Sequence, residues 1–227
     1  MGLVRRAVAP AEGAADTVAG LTLEGAGAGE GQPDRRHRRR DVPGLVAGLN
    51  AADPETRRRA AVDLADEPDG VPALVARVGV ERDPAVRDTV LTQLARLDSP
   101  EVATGLVPHL GSDDAGLRNA VVVAMAQMPR SVPPLVPGLL ADPDPDVRIL
   151  TIMMMAGLRV AELEGWLVGV LEHDTHTNVV ASAVSELVPI AGPEAVDVLE
   201  AVPARFPDDP FLAFTVRAAL ARLRGAA

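Results

Sequence analysis

The chain has 227 residues, 48% of them hydrophobic and 24% charged, which suffices for a packed core and is incompatible with global disorder. It contains no cysteine, tyrosine or lysine, so all 22 basic residues are arginine; disulfides, thiolate metal sites, Schiff-base lysines and lysine-dependent phosphate loops are excluded. The net charge of −10 is split between +2 on residues 1–40 and −12 on residues 41–227. An acidic body argues against nucleic-acid backbones and anionic membrane surfaces, which basic patches recognise, and no apolar run reaches the roughly 18–20 residues of a membrane-spanning helix.

Residues 1–40 are rich in Ala and Gly and end in Arg35, Arg36, His37, Arg38, Arg39 and Arg40. Gly25, Gly27, Gly29 and Gly31 alternate with small or acidic residues, and glycine loses the most entropy on folding. A disordered, protease-sensitive tail is expected here, with the arginine cluster read as a solvated hinge. An arginine cluster that binds nucleic acid is the functional counterpart of that reading. No signal-peptide core is visible. The composition changes abruptly at Asp41, so the folded body is expected over 41–227.

That body repeats itself. An apolar pentad recurs as LVAGL at 45–49, LVARV at 74–78, LVPHL at 106–110, LVPGL at 135–139, LVGVL at 167–171 and, more weakly, VLEAV at 198–202. After each of the first four pentads comes a helix start: Asp53-Pro54-x-x-Arg57, Asp83-Pro84-x-x-Arg87, Asp114-x-x-x-Arg118 and Asp144-Pro145-x-x-Arg148. The aspartate accepts a backbone N–H that has no partner inside the helix, and proline at the first helical position sacrifices no hydrogen bond.

When the arginine is numbered zero, positions −1, +3, +7 and +10 are apolar in nearly every copy: Val86, Val90, Leu94 and Leu97, or Leu117, Val121, Met125 and Met128. Spacings of four, four and three put them on one helical face. Position +8 is Ala65, Ala95, Ala126, Ala156 and Ala221, which suggests close backbone approach. The fifth copy is irregular. Asp174 and Thr177 are both candidate caps, and Thr177 is preferred because it sends Val180, Val184 and Val188 to the core.

Six helix pairs without strands follow, an all-α solenoid. The Leu-Val-x-x-Leu pentads, Pro108 and Pro137 within the first helices, and the Asp-Pro-x-Val-Arg starts resemble the HEAT-like repeat family in its short bacterial form, also found in phycobilisome lyase-type proteins. The resemblance implies a binding scaffold whose capped helices line a concave face. It also implies that the repeated arginines and cap aspartates form an inter-repeat ladder, in preference to holding an anionic ligand.

Other candidates are weak beside their structural explanations. His173, Asp174 and His176, with Glu172, are imidazole and carboxylate groups of the kind that bind zinc or iron, but four turn residues rarely close a site alone. The clusters Asp142/Asp144/Asp146 and Asp208/Asp209 lack the glycine and distal glutamate of a calcium loop. Trp166, Phe206, Phe211 and Phe214 are expected to fill the core near the C-terminal end. No cofactor motif and no metal site are read from the chain.

Positions +1, +5 and +9 point away from the core face. They are Arg58, Val62 and Asp66; Asp88, Thr92 and Arg96; Asn119, Val123 and Gln127; Ile149, Met153 and Gly157. The face runs from charged through amide to apolar. The expectation is a non-catalytic, cytoplasmic adaptor that binds another protein or peptide through this face, with a partner segment over Val123, Ile149 and Met153. The alternative is a lyase or tailoring-enzyme subunit related to the bilin-lyase HEAT proteins.

Overall fold

A computed structural model describes residues 41–192 and 195–225. The expectation for residues 1–40 lies outside them. The described residues form twelve α-helices and three short 3-10 turns, with no strand. In pairs, the helices are α1 (Val42–Leu49) with α2 (Pro54–Leu64), α3 (Val71–Val78) with α4 (Pro84–Leu97), and α5 (Pro100–Leu106) with α6 (Ala115–Met125). Then come α7 (Val136–Leu140) with α8 (Pro145–Leu158), α9 (Leu163–His173) with α10 (Thr177–Leu187), and α11 (Ala195–Arg205) with α12 (Pro210–Gly225). Each even-numbered helix packs on its even-numbered neighbours, whereas in the odd-numbered layer the main direct helix contacts are α3 on α5 and α9 on α11. The result is a two-layer all-α solenoid with a continuous core between the layers.

The caps form as the spacing requires. Asp53 accepts from Thr56 N–H at 2.8 Å, Asp83 from Ala85 and Val86, Asp114 from Leu117, Asp144 from Asp146, and Asp209 from Leu212. The −1, +3 and +7 positions are buried in the second, third, fourth and sixth repeats: Val86, Val90 and Leu94; Leu117, Val121 and Met125; Val147, Thr151 and Met155; Leu212, Val216 and Leu220. In the first, Ala60 and Leu64 are buried and Thr56 is exposed. Burying each Leu, Val or Met side chain contributes roughly 1.5–3 kcal/mol. Thr151 settles its hydroxyl by donating to Val147 O at 2.8 Å.

Two local expectations need correction. Pro108 does not lie in an α-helix. With no N–H to donate, it leaves Val107–Gly111 wound as a 3-10 turn after α5, and α7 is likewise shortened to five residues behind the 3-10 turn Pro133–Leu135. In the fifth repeat neither Asp174 nor Thr177 is the cap. His176 stands there, without a side-chain cap bond, and Thr177 is the first helical residue. Val180 and Val184 are buried as expected, but Val179, Ala183 and Leu187 take the −1, +3 and +7 places, and Val188 takes the place of the alanine ladder, half-buried.

The small-residue ladder marks close approach. A Cβ on Gly157 would lie 2.7 Å from Ala126 Cβ and 3.3 Å from Ala126 O. At the other edge, Asp98 caps α4 in the left-handed conformation (φ 42°, ψ 58°) and its carboxylate accepts from Arg130 Nε and from the Arg130 and Ser131 N–H groups. That contact ties consecutive repeats together.

Candidate functional site

The four periodic arginines are spent on the scaffold. Each donates to the carbonyl six residues earlier, at the end of its own turn: Arg57 to Ala51 O, Arg87 to Glu81 O, Arg118 to Ser112 O and Arg148 to Asp142 O. In the fifth repeat position zero is Val180, which cannot donate. There the corresponding carbonyl, Asp174 O, is taken at 2.7 Å by Arg205 from α11. An unpaired turn carbonyl is costly, and in each of these five turns a guanidinium meets it.

The carboxylate side of the ladder is less regular than expected. Arg87 reaches Asp114, the cap of the next repeat, at 3.2 Å, and Arg148 pairs with Asp174 at 2.7 Å. Arg57 instead meets Glu81, two residues before the cap Asp83, through Nε and Nη2 at 2.9 Å each. Glu81 is 1% exposed and also pairs with Arg77 at 2.6 Å. Burial pushes the Glu81 carboxyl up, but the bonds from Arg57, the Asp83 N–H and Arg77 outweigh it and bring it down to about 2.

The histidines of the fifth turn do not converge with the acids. His173 is largely exposed with Nδ1 at 3.0 Å from Gly169 O, while Asp174 is occupied by Arg148 and by the His176 N–H. Among the described residues no group of three or more imidazole and carboxylate side chains could hold a metal ion. Among them, too, no helix is long and apolar enough to cross a membrane.

The outer face of the even-numbered helices is open. Arg58, Asp88, Thr92, Arg96, Asn119, Val123, Gln127 and Met153 are exposed; Ile149 is the exception, half-buried against the core. A groove of about 440 Å³ between α4 and α6 joins five of these residues. Asp88 and Thr92 form one bank, Asn119, Val123 and Gln127 the other, and Leu91, Ala120 and Ala124 complete the lining. Arg58 lies apart, bonded through Nε and Nη2 to Glu55, and Arg96 donates to Gln93 at 2.6 Å. Met153 continues the line on α8, outside the groove.

The aromatic expectation fails at the C-terminal end. Phe211 and Phe214 are 67% and 61% exposed, while Trp166 and Phe206 are half-buried against the core. Counted from its cap Asp209, α12 has Ala213 at position zero and Phe214 at +1, on the same line as Val123 and Met153. The periodicity already contained this placement, but the aromatic character suggested core filling. At +4 the interior helices carry buried Ala61, Leu91, Val122, Ile152 and Val184, whereas α12 carries exposed Arg217, a polar end to the stack.

No characterised protein sequence matches the chain. Among solved structures, similar folds include an engineered protein (21% identity, 82% of this chain and 98% of that one, TM-score 0.39). A designed armadillo repeat protein is similar at 18% identity over 81% of this chain and 100% of that one, with TM-score 0.37. The complex of CpcE and CpcF of phycocyanin lyase from Nostoc sp. PCC7120 is similar at 17% identity over 89% of this chain and 100% of that one, with TM-score 0.34. Likenesses this distant say nothing of activity. Residues 42–126 and 132–222 match the family model of HEAT repeats, which places the sequence periodicity, the cap aspartates and the two-layer helix stack in one lineage: the chain belongs to the HEAT-repeat family.

Proposed function

We propose that this protein is a non-catalytic adaptor that binds a segment of another protein along the outer face of α4, α6, α8 and α12. The observation that carries this reading is the placement of its exposed apolar side chains. Val62, Val123, Met153 and Phe214 all occupy position +1 or +5 of a capped helix, at 43%, 62%, 51% and 61% exposure. Single exposed apolar residues are ordinary, but a row of them at one helical register marks a contact surface. The groove between α4 and α6 adds polar donors and acceptors beside that row, the usual composition of a recognition surface. The arginines that could have held an anionic substrate are committed to turn carbonyls. Because Ile149 is half-buried, the docking row runs from Val123 to Met153; Phe214 lies at the same register beyond α10, whose +1 and +5 residues are Ala181 and Ser185.

The test is comparative capture from the native cell. Wild type and Met153→Asp are used as bait beside Val80→Asp, which alters an exposed valine in a turn away from the face. The adaptor reading expects a protein retained by wild type and Val80→Asp and lost with Met153→Asp, all three melting at similar temperatures. Equal retention by all three would contradict it.

A further inference from the structure

The fifth repeat departs from its neighbours at two points in sequence, and both meet at one cavity. The residue just before the pentad is Gly44, Ala73, Gly105, Pro134 or Asp197 in the other repeats, and Trp166, the sole tryptophan, in the fifth. Gly165 and Gly169 flank it one turn apart on α9. A Cβ built on either meets no heavy atom within 4 Å, so both open onto free space. The second departure is the turn itself, with His173 and Thr175 beside Asp174. Between α7 and α9 these residues line an open, solvent-facing cavity of about 510 Å³, of small-ligand size.

Its chemistry is asymmetric. Leu140, Trp166 and Val170 supply an apolar and aromatic wall. Arg148 and Asp174 also line it but are committed to each other, Nε to Oδ2 at 2.7 Å and Nη2 to Oδ1 at 3.1 Å, with Arg148 Nη1 on Asp142 O. The remaining charge is the Asp142 carboxylate, half-buried at the cavity edge, where Oδ1 accepts only the Asp144 N–H. One carboxylate beside an indole suits a cation, and the apolar wall suits a hydrocarbon stem carrying it.

We infer that this cavity binds an organic cation, an ammonium or guanidinium on a short aliphatic stem. The ligand is either a free amine or the Lys or Arg side chain of a partner. The cavity lies in the odd-numbered layer, so the inference is independent of the adaptor face.

Trp166 is the reporter. The full-length chain is titrated with n-butylguanidinium, n-butylammonium, butyrate and stemless guanidinium at constant ionic strength, following tryptophan emission. The two stemmed cations produce a saturable change; butyrate and stemless guanidinium produce none. Asp142→Asn weakens both cations by up to about fivefold, the range of a partly exposed charge pair. Gly169→Leu fills the cavity and erases the response while the fold melts as wild type; Gly165→Met serves if that variant does not fold.

A Leu-Arg-Leu peptide that binds more tightly than butylguanidinium identifies a partner's side chain as the source, and weaker binding identifies a free cation. Met153→Asp leaves the emission response intact, and Gly169→Leu leaves partner capture intact, so the two readings fail separately. A non-saturating response, equal binding of butyrate, or a response that survives filling the cavity would overturn the inference.

Discussion

The first four repeats and the fifth solve the same problem in different ways. In the first four, an arginine at position zero folds back onto the carbonyl ending its own turn, so the turn is closed from within the repeat. In the fifth, position zero is Val180, buried, and the turn carbonyl is closed from the next repeat by Arg205. The requirement is conserved by the physics of an unpaired carbonyl, while the residue that meets it moves 25 positions along the chain. Freed from carrying its own arginine, the fifth repeat also departs at Trp166 and in its turn, and the cavity lies there.

The strongest way to break the regular region is to charge its core. Val121 is fully buried in α6, and Val121→Asp should abolish cooperative thermal unfolding, since an unpaired buried carboxylate costs several kcal/mol. Arg58→Ala, on an exposed residue of α2, should stay within about 0.5 kcal/mol of wild type in a denaturant melt.

Next in size is the buried Arg57–Glu81–Arg77 cluster. Glu81→Gln should cost about 3 kcal/mol, because two guanidinium groups lose their shared carboxylate. The Glu81 carboxyl sits at about 2, below its ordinary 4.5. Its contribution is therefore complete above about pH 4.5 and is lost as the pH falls toward 2. In the Gln variant the acid limb of stability over that interval should flatten; an unchanged slope would assign the acid sensitivity elsewhere.

Arg205→Ala sharpens the comparison directly. It should cost about 1 kcal/mol, the worth of a hydrogen bond to a turn carbonyl, and speed amide exchange in the fifth turn. Arg118→Ala should do the same in the third turn and leave the fifth unaffected. The smallest effects come from paired glycine changes. Gly169→Ala should raise stability by up to about 1 kcal/mol, since it restores helix propensity and its methyl meets nothing. Gly157→Ala should lower it, because its methyl meets Ala126 at 2.7 Å.

The regular region was legible because its information is local and repeated. A cap aspartate, a proline at the first helical position and apolar spacing of four, four and three specify a helix without knowledge of its neighbours. They placed Val90, Val121 and Met155 in the core. Long-range choices were less legible. That Arg57 pairs with Glu81 in preference to Asp83 depends on how one turn lies over the next. Neither candidate stands at the cap of the fifth helix: Asp174 spends its carboxylate on Arg148 and the His176 N–H, and Thr177 is already the first helical residue. Phe214 was misplaced for another reason: an aromatic residue suggests burial, and its register, which put it on the outer face, carried the better information. That Asp88, Thr92, Asn119, Val123 and Gln127 share one exposed face follows from the repeat, which makes neighbouring helices equivalent; the groove between α4 and α6 depends on how the two helices pack and was not legible.

The adaptor face is tested most directly by hydrogen exchange on the full-length chain, alone and saturated with the protein it captures. The prediction is slowed exchange in 88–96, 119–127 and 149–157, the stretches that carry Asp88, Val123 and Met153, with the odd-numbered helices unchanged. Protection confined to α1, α3, α5, α7, α9 and α11, with those three stretches unaltered, would contradict it.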